Sequence, residues 1–291
     1  MGKLKITLLA AAAVLALGAG AMATAAADYH AGIDADIAAV LRTAATADPA
    51  PVTAAELAAL PEPVRRYMAF AFQGEAPRRL RAAGVAQQGE FRRPGATTWE
   101  PMSAEQYVAA AGPEPAFVFT GSTWVLPGVP ARAMDAYVDG RMRMRAKLFS
   151  AIPVMAEDGG ALDHVSILRF FIESALYPSA LLPGPNLRWE ALDADHARAV
   201  VLADGVPIGA YRVTVDAAGA LVRMESEADG DPATAGRFHG AGEVVTRGDY
   251  RAVDGVMVPH AFTLSRRIGG QEQPFWRGTV MRIAFDVAKR F

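Results

Sequence analysis

Arg169 and Glu173 stand four residues apart in the run Arg169-Phe170-Phe171-Ile172-Glu173, a spacing that puts two side chains on one face of a helix. Nearly every neighbour between 167 and 182 is apolar. A sheet packed on that face would take the two charges out of water, which is costly unless geometry and hydrogen bonds compensate. Three roles fit such a pair. It can mark the solvent edge of the helix, clamp helix to sheet, or supply a carboxylate and a cation for acid–base work, as in a hydrolase or isomerase using Glu173 with Arg169. Glu90, Glu100, Glu105 and Asp135 lie on early β segments. They are either paired acids lining a concave face or the wet side of their strands.

Other chemistries find little support. His164 beside Asp163 sits nine residues before Glu173 and is out of helical phase with it. The histidines (30, 164, 196, 239 and 260) share no metal-binding spacing, and no H-E-x-x-H run occurs. Ser122 and Ser174 lie in no Gly-x-Ser-x-Gly elbow. With no cysteine there is no disulfide, thiolate metal site or thiol nucleophile. No metal or cofactor is called for.

The elements that must position the pair are mostly strands. Residues 162–182 break a β-rich pattern with a helical one, Ile167, Leu168, Phe171, Ile172, Ala175 and Leu176 recurring at three- and four-residue intervals until Tyr177-Pro178. Before them, Thr53-Ala54-Ala55-Glu56 has capping-box spacing, and an apolar stripe runs from Leu57 to Phe72, broken at Pro61 and Pro63. Strands are expected at about 81–91, 98–109, 116–126, 131–139 and 141–149, and again at 187–192, 197–203, 207–216, 221–228, 242–253, 257–268 and 275–287. The best hairpin signal is Asp139-Gly140, followed by Met142-Arg143-Met144-Arg145 with methionines on one face and arginines on the other. The fold expected is mainly β, in the α+β class. It is a curved antiparallel sheet or open barrel of roughly a dozen strands, with N-terminal helices and the central helix packed on its concave side.

The chain has 291 residues, 52% hydrophobic and 21% charged, with a net charge of -2. It can bury a sizeable core, and its balance excludes a phosphate-backbone binder, so no nucleic-acid partner is expected. Lys3 and Lys5 precede an apolar core at 6–17 and A-x-A sites between 21 and 27. That is the layout of a signal peptide over 1–27, cleaved within 23–27, which places the protein in the periplasm or cell envelope. Residues 6–27 are also uncharged and long enough to span a bilayer, so the alternative is an uncleaved anchor, the one expected membrane contact. An Ala-rich helix and linker at 28–52 then lead to a single β-rich domain at 53–291, with 162–182 as its helical insertion.

Several runs carry a family resemblance. They are Leu60-Pro61-Glu62-Pro63-Val64-Arg65-Arg66-Tyr67, Gln88-Gly89-Glu90-Phe91, Trp99-Glu100-Pro101-Met102, Tyr137-Val138-Asp139-Gly140-Arg141, Arg169-Phe170-Phe171-Ile172-Glu173-Ser174-Ala175-Leu176-Tyr177-Pro178, Arg188-Trp189, Asp249-Tyr250-Arg251 and Phe275-Trp276-Arg277-Gly278. In this order they resemble a bacterial domain-of-unknown-function family found mostly in exported or membrane-anchored proteins, over about residues 58–287. The family brings no activity or catalytic residue with it. The run at 250–259 is also similar to the late strands of lipoprotein-carrier proteins, which implies an open curved sheet closed by helices over an apolar cavity.

Consecutive strands carry an apolar surplus rich in methionine, the residue that adapts to variable partners. The leading expectation is an envelope protein binding an apolar or lipid-like ligand between sheet and helix, lined by Trp124, Tyr137, Met142, Met144, Phe171, Tyr177 and Trp189. The alternatives are an interaction module without a small ligand and the Glu173 enzyme.

Overall fold

A computed structural model describes residues 2–47, 49–112, 114–230 and 242–291. His239 and the Asp231-Pro232 turn signal lie outside them. Three helices come first: α1 (Gly2–Thr46), α2 (Ala54–Ala58) and α3 (Glu62–Ala71). The capping box forms, the Thr53 amide donating to Glu56 Oε2 at 2.8 Å and the Glu56 amide to Thr53 Oγ1 at 3.1 Å. Pro61 and Pro63 separate α2 from α3, with a proline in the first turn of the second piece.

Six strands follow: β1 (Ala82–Phe91), β2 (Glu100–Ala109), β3 (Ala116–Leu126), β4 (Val129–Val138), β5 (Arg141–Leu148) and β6 (Ile152–Asp158). The chain crosses the interior as α4 (Ala161–Ile172) and two 3-10 turns, Ser174–Leu176 and Pro178–Leu181. It then lays down β7 (Leu187–Ala191), β8 (His196–Ala203), β9 (Val206–Val215), β10 (Leu221–Ser226), β11 (Glu243–Val253), β12 (Val256–Ile268) and β13 (Gln271–Phe285). All thirteen form one sheet in the order β6-β5-β4-β3-β2-β1-β13-β12-β11-β10-β9-β8-β7. Two antiparallel meanders are thus joined where the last strand pairs with the first.

This seam demands two glycines. Gly89 and Gly278 are register partners. A Cβ on Gly89 would lie 2.0 Å from the Arg277 carbonyl oxygen, and one on Gly278 would lie 2.3 Å from that of Gln88. Only residues without a side chain let the backbones pass so closely.

The sheet must curl. Strands β5 and β8 are ten steps apart in the order, which on a flat sheet is about 48 Å, while a twelve-residue helix is about 18 Å long. Yet α4 touches β5, β8, β9 and β11. The sheet wraps round it without closing, and α3, α4 and the 3-10 turns fill one inner core with residues from both meanders. Both edges are blunted. Strand β6 carries Pro153 and pairs with β5 through a bulge at Ala146/Lys147, and β7 has five residues.

Three local outcomes differ from the sequence reading. The helix over 162–182 ends at Ile172, where the Ser174 hydroxyl donates to Phe171 O at 2.5 Å and the Tyr177 hydroxyl to Phe170 O at 2.6 Å. These side chains draw the chain into tight turns before Pro178 stops it. Strand β6 is not expected from sequence, because it is an edge with almost every residue exposed and so has no alternation to read. The second half of α1 lies on the opposite face of the sheet from α3 and α4. Tyr29, Ile33, Ile37, Val40, Leu41 and Ala44 pack there on Tyr107, Val118, Met134 and Ala136, a second core. The arginine face of β5 therefore meets a helix: Arg143 donates to Asp36 at 2.5 Å, while Met142 and Met144 face inward at 1% exposure.

Candidate functional site

The helices fill only one end of the curled sheet. At the other end, where β3 runs into β4 and β5 into β6, the interior holds a cavity of about 440 Å³. Its walls are apolar and come mainly from strands: Met102 of β2, Phe119 of β3, Met144 of β5, Met155 of β6, Leu264 of β12 and Trp276 of β13. Small residues, Gly121, Ala131, Ala133 and Ala146, keep it open. It reaches the rim of the sheet at Val125, Leu148 and Val154.

The floor gathers Asp135, Arg169, Glu173 and Glu243, and Arg93 and Arg132 also border the cavity. Alternation along each strand explains their inward aim. Asp135 shares its face of β4 with Ala133 and Tyr137, and Glu243 and Arg247 share theirs of β11 with the core residue Val245. Arg169 Nη1 donates to Asp135 Oδ2 at 2.8 Å, and Arg247 Nη2 donates to Glu173 Oε2 at 2.7 Å. Arg169 also lies over the Phe117 ring at 5.8 Å and Arg247 over Phe262 at 5.7 Å. Nε and Nη1 of Arg247 find no acceptor among the described residues.

The electrostatics follow from burial. Desolvation pushes the Glu243 carboxyl above its ordinary value, the neighbouring charges of Glu173 and Asp135 push the same way, and Arg169 and Arg266 pull it back. For Arg169, burial alone would favour the neutral form, but Asp135, Glu243 and Glu173 outweigh it and raise the guanidinium. Arg266 is lowered by burial first and by Arg169 beside it, against the pull of Glu243.

The pair proposed from spacing is therefore not a pair. Arg169 and Glu173 both reach the floor, but each turns across to a strand, because on a helix wrapped by sheet the nearest opposite charge is on the wall. Of the expected lining residues, Met144 borders the cavity. Tyr137 stacks on Phe117 at 6.3 Å and, with Met142, belongs to the filled end. Phe171 and Tyr177 are buried in the helical core, and Trp189 packs against it with Nε1 donating to Leu181 O at 2.8 Å. Trp124 stands at the rim, 54% exposed. Glu90, Glu100 and Glu105 pair with Arg277, Arg93 and Arg290, and Asp135 is the one early-strand acid on the floor. His164 is exposed. Glu243, Arg247 and Arg266 were not singled out from sequence. The signal for the first two is Glu243-Val244-Val245-Thr246-Arg247, charges at even spacing around a buried valine.

The runs that carry the resemblance occupy structural joints here, Gly89 and Gly278 at the seam and residues 169–178 on the floor and helical turns. A family described as "Family of unknown function (DUF6920)" matches residues 58–285. The chain belongs to this family. None of the curated proteins compared with it matches. Among solved structures, this DUF6920 chain is similar to a LolA superfamily protein from Nitrosomonas europaea, at 6% identity and a TM-score of 0.37, covering 76% of this chain and 92% of that one. It is also similar to a DUF1329 family protein from Desulfovibrio piger, at 12% identity and a TM-score of 0.41, covering 78% and 94%.

Proposed function

We propose that this DUF6920 protein is exported to the cell envelope and binds an apolar or lipid-like molecule in the cavity between the curled sheet and α4. The cavity itself carries the reading. Its volume of about 440 Å³ falls within the roughly 300–1,000 Å³ of small-molecule sites. Its walls are largely methionine, aromatic and aliphatic, and its acids gather on the floor beside Arg169, an arrangement that suits a molecule with an apolar body and a polar tip. Methionine walls also accept variation in the body.

Native mass spectrometry of the protein isolated from its own envelope, followed by organic extraction, tests this. The expected result is a bound species released on denaturation and lost in Ala133→Trp, which fills the cavity from a half-buried wall position. A bare protein mass, with no uptake of added oleic acid or phosphatidylglycerol, overturns it.

A second reading rests on Glu243, a carboxyl at the floor of the same cavity whose pKa burial pushes above its ordinary value. If Glu243 protonates the leaving alcohol oxygen of a bound ester while water adds to its carbonyl carbon and the C–O bond breaks, the wild-type extract contains the acid and alcohol and the Glu243→Gln extract contains intact ligand. Identical extracts remove the enzyme reading and leave the binder.

A further inference from the structure

Helix α1 is one uninterrupted helix with two surroundings. Its second half docks on the outer face of the sheet, the docked stripe beginning at Tyr29 and continuing through Ile33 and Ile37 at helical spacing. In its first half the apolar side chains Leu8, Leu9, Val14, Leu15 and Leu17 are 62–75% exposed. This half contains an eighteen-residue window of mean hydropathy 2.0 with no residue buried. Residues 6–27 carry no charge, and at 1.5 Å per residue they span about 33 Å, enough for a hydrocarbon core.

The place where α1 leaves the sheet is informative. The Tyr29 hydroxyl donates to the carbonyls of Arg132 and Arg145 at 3.4 Å, Lys147 lies over the Tyr29 ring at 4.6 Å, and His30 Nε2 meets Ser150 Oγ at 3.0 Å. Helix α1 thus exits at the turn between β5 and β6, on the rim that bears the mouth of the cavity. That rim exposes Trp124, Leu126, Phe149, Ile152 and Val154, each between 44% and 65%. Phe149 and Ser150 hold φ of 51° and 58°, a left-handed turn that Asn-Gly would make without strain. An exposed aromatic kept there is a cost without return in water alone. Tyr29, Lys147 and Trp124 are the residue types that sit at headgroup depth.

We propose that residues 6–27 are retained as a membrane span and that the β3–β6 rim rests on the bilayer surface, opening the cavity mouth toward lipid. The occupant of the apolar rim is then the membrane that already holds the helix beside it. The A-x-A sites at 21–27 lie inside the helix, just ahead of its docked stripe, and not in the extended form a peptidase takes. The inference goes beyond the binding reading and stands whether or not the cavity is filled.

The chain has no cysteine, so single cysteines report their own positions. Leu126→Cys and Val154→Cys mark the rim. Val206→Cys marks the opposite end, 62% exposed and two residues from Asp204, whose charge acts on Tyr137. The full-length chain, labelled with bimane, is reconstituted into phosphatidylcholine–phosphatidylglycerol vesicles with brominated acyl chains, and its intact mass is measured after isolation from cell membranes. Most of the rim fluorescence should be lost, that at 206 should persist, and the mass should include the N-terminal segment. Rim labels quenched no more than the label at 206, or a membrane-isolated chain shortened at 23–27, overturns the proposal.

Discussion

The two ends of the curled sheet are built from the same strands and do opposite things. At the end filled by α3, α4 and the 3-10 turns, Ala175, Leu176, Tyr177 and Leu181 are fully buried in one core with strand residues such as Val201, Val213 and Val258. At the other end the helices stop, the strands carry on past them, and their inward side chains face a cavity. The boundary between the two is the charged floor. Stability therefore resides at one end and any binding at the other, and variants can tell them apart.

The largest effect should come from the boundary. Arg247→Ala leaves Glu173 buried without its cation, and loss of a buried partner costs about 3–5 kcal/mol. Replacing both residues with methionine should restore most of that, as read by urea denaturation. A double variant no better than the single one would show that the floor holds more than this pair. At the filled end, Leu176→Ala should cost about 2–5 kcal/mol and leave lipid uptake by the folded fraction unchanged. At the open end the order reverses. Ala133→Trp should keep stability within about 1 kcal/mol of the parent and abolish uptake. If both variants lose uptake in proportion to stability, the division between the ends fails.

The smallest effect concerns the outer face. Burial raises the Tyr29 phenol from 10.0 to about 12. The folded state therefore keeps its proton where the unfolded chain has lost it. The stability linked to Tyr29 is fully present below pH 10 and disappears as pH rises through about 12. Tyr29→Phe should be nearly silent at neutral pH and should remove this alkaline loss. Following α1 docking by hydrogen exchange between pH 9 and 12 reads it, and an unchanged alkaline profile in the variant rules out Tyr29 as the titrating group.

Much of this was legible in sequence for physical reasons. Alternation and Asp-Gly turns mark the strands because inward and outward faces differ. They fail at β6, where both faces meet solvent, as they must. The floor was half legible. Arg169 and Glu173 stood out because charge on an apolar helix is anomalous, but their partners Asp135 and Arg247 are on strands 34 and 74 residues away, and local spacing carries no such pairing. The methionine wall was readable as inventory. Which of Met142 and Met144 borders open space depends on where the helices end, which is a tertiary fact.

The unclosed sheet has a further consequence, for self-association. A barrel has no free edges, but an open sheet of thirteen strands has two, and each edge is a template on which a neighbouring copy could add a strand. Here Pro153 removes a donor from one edge, the bulge at Ala146/Lys147 twists it, and the other edge is only five residues long. The fold can stay open without offering its own kind a long, flat edge to extend into a fibre.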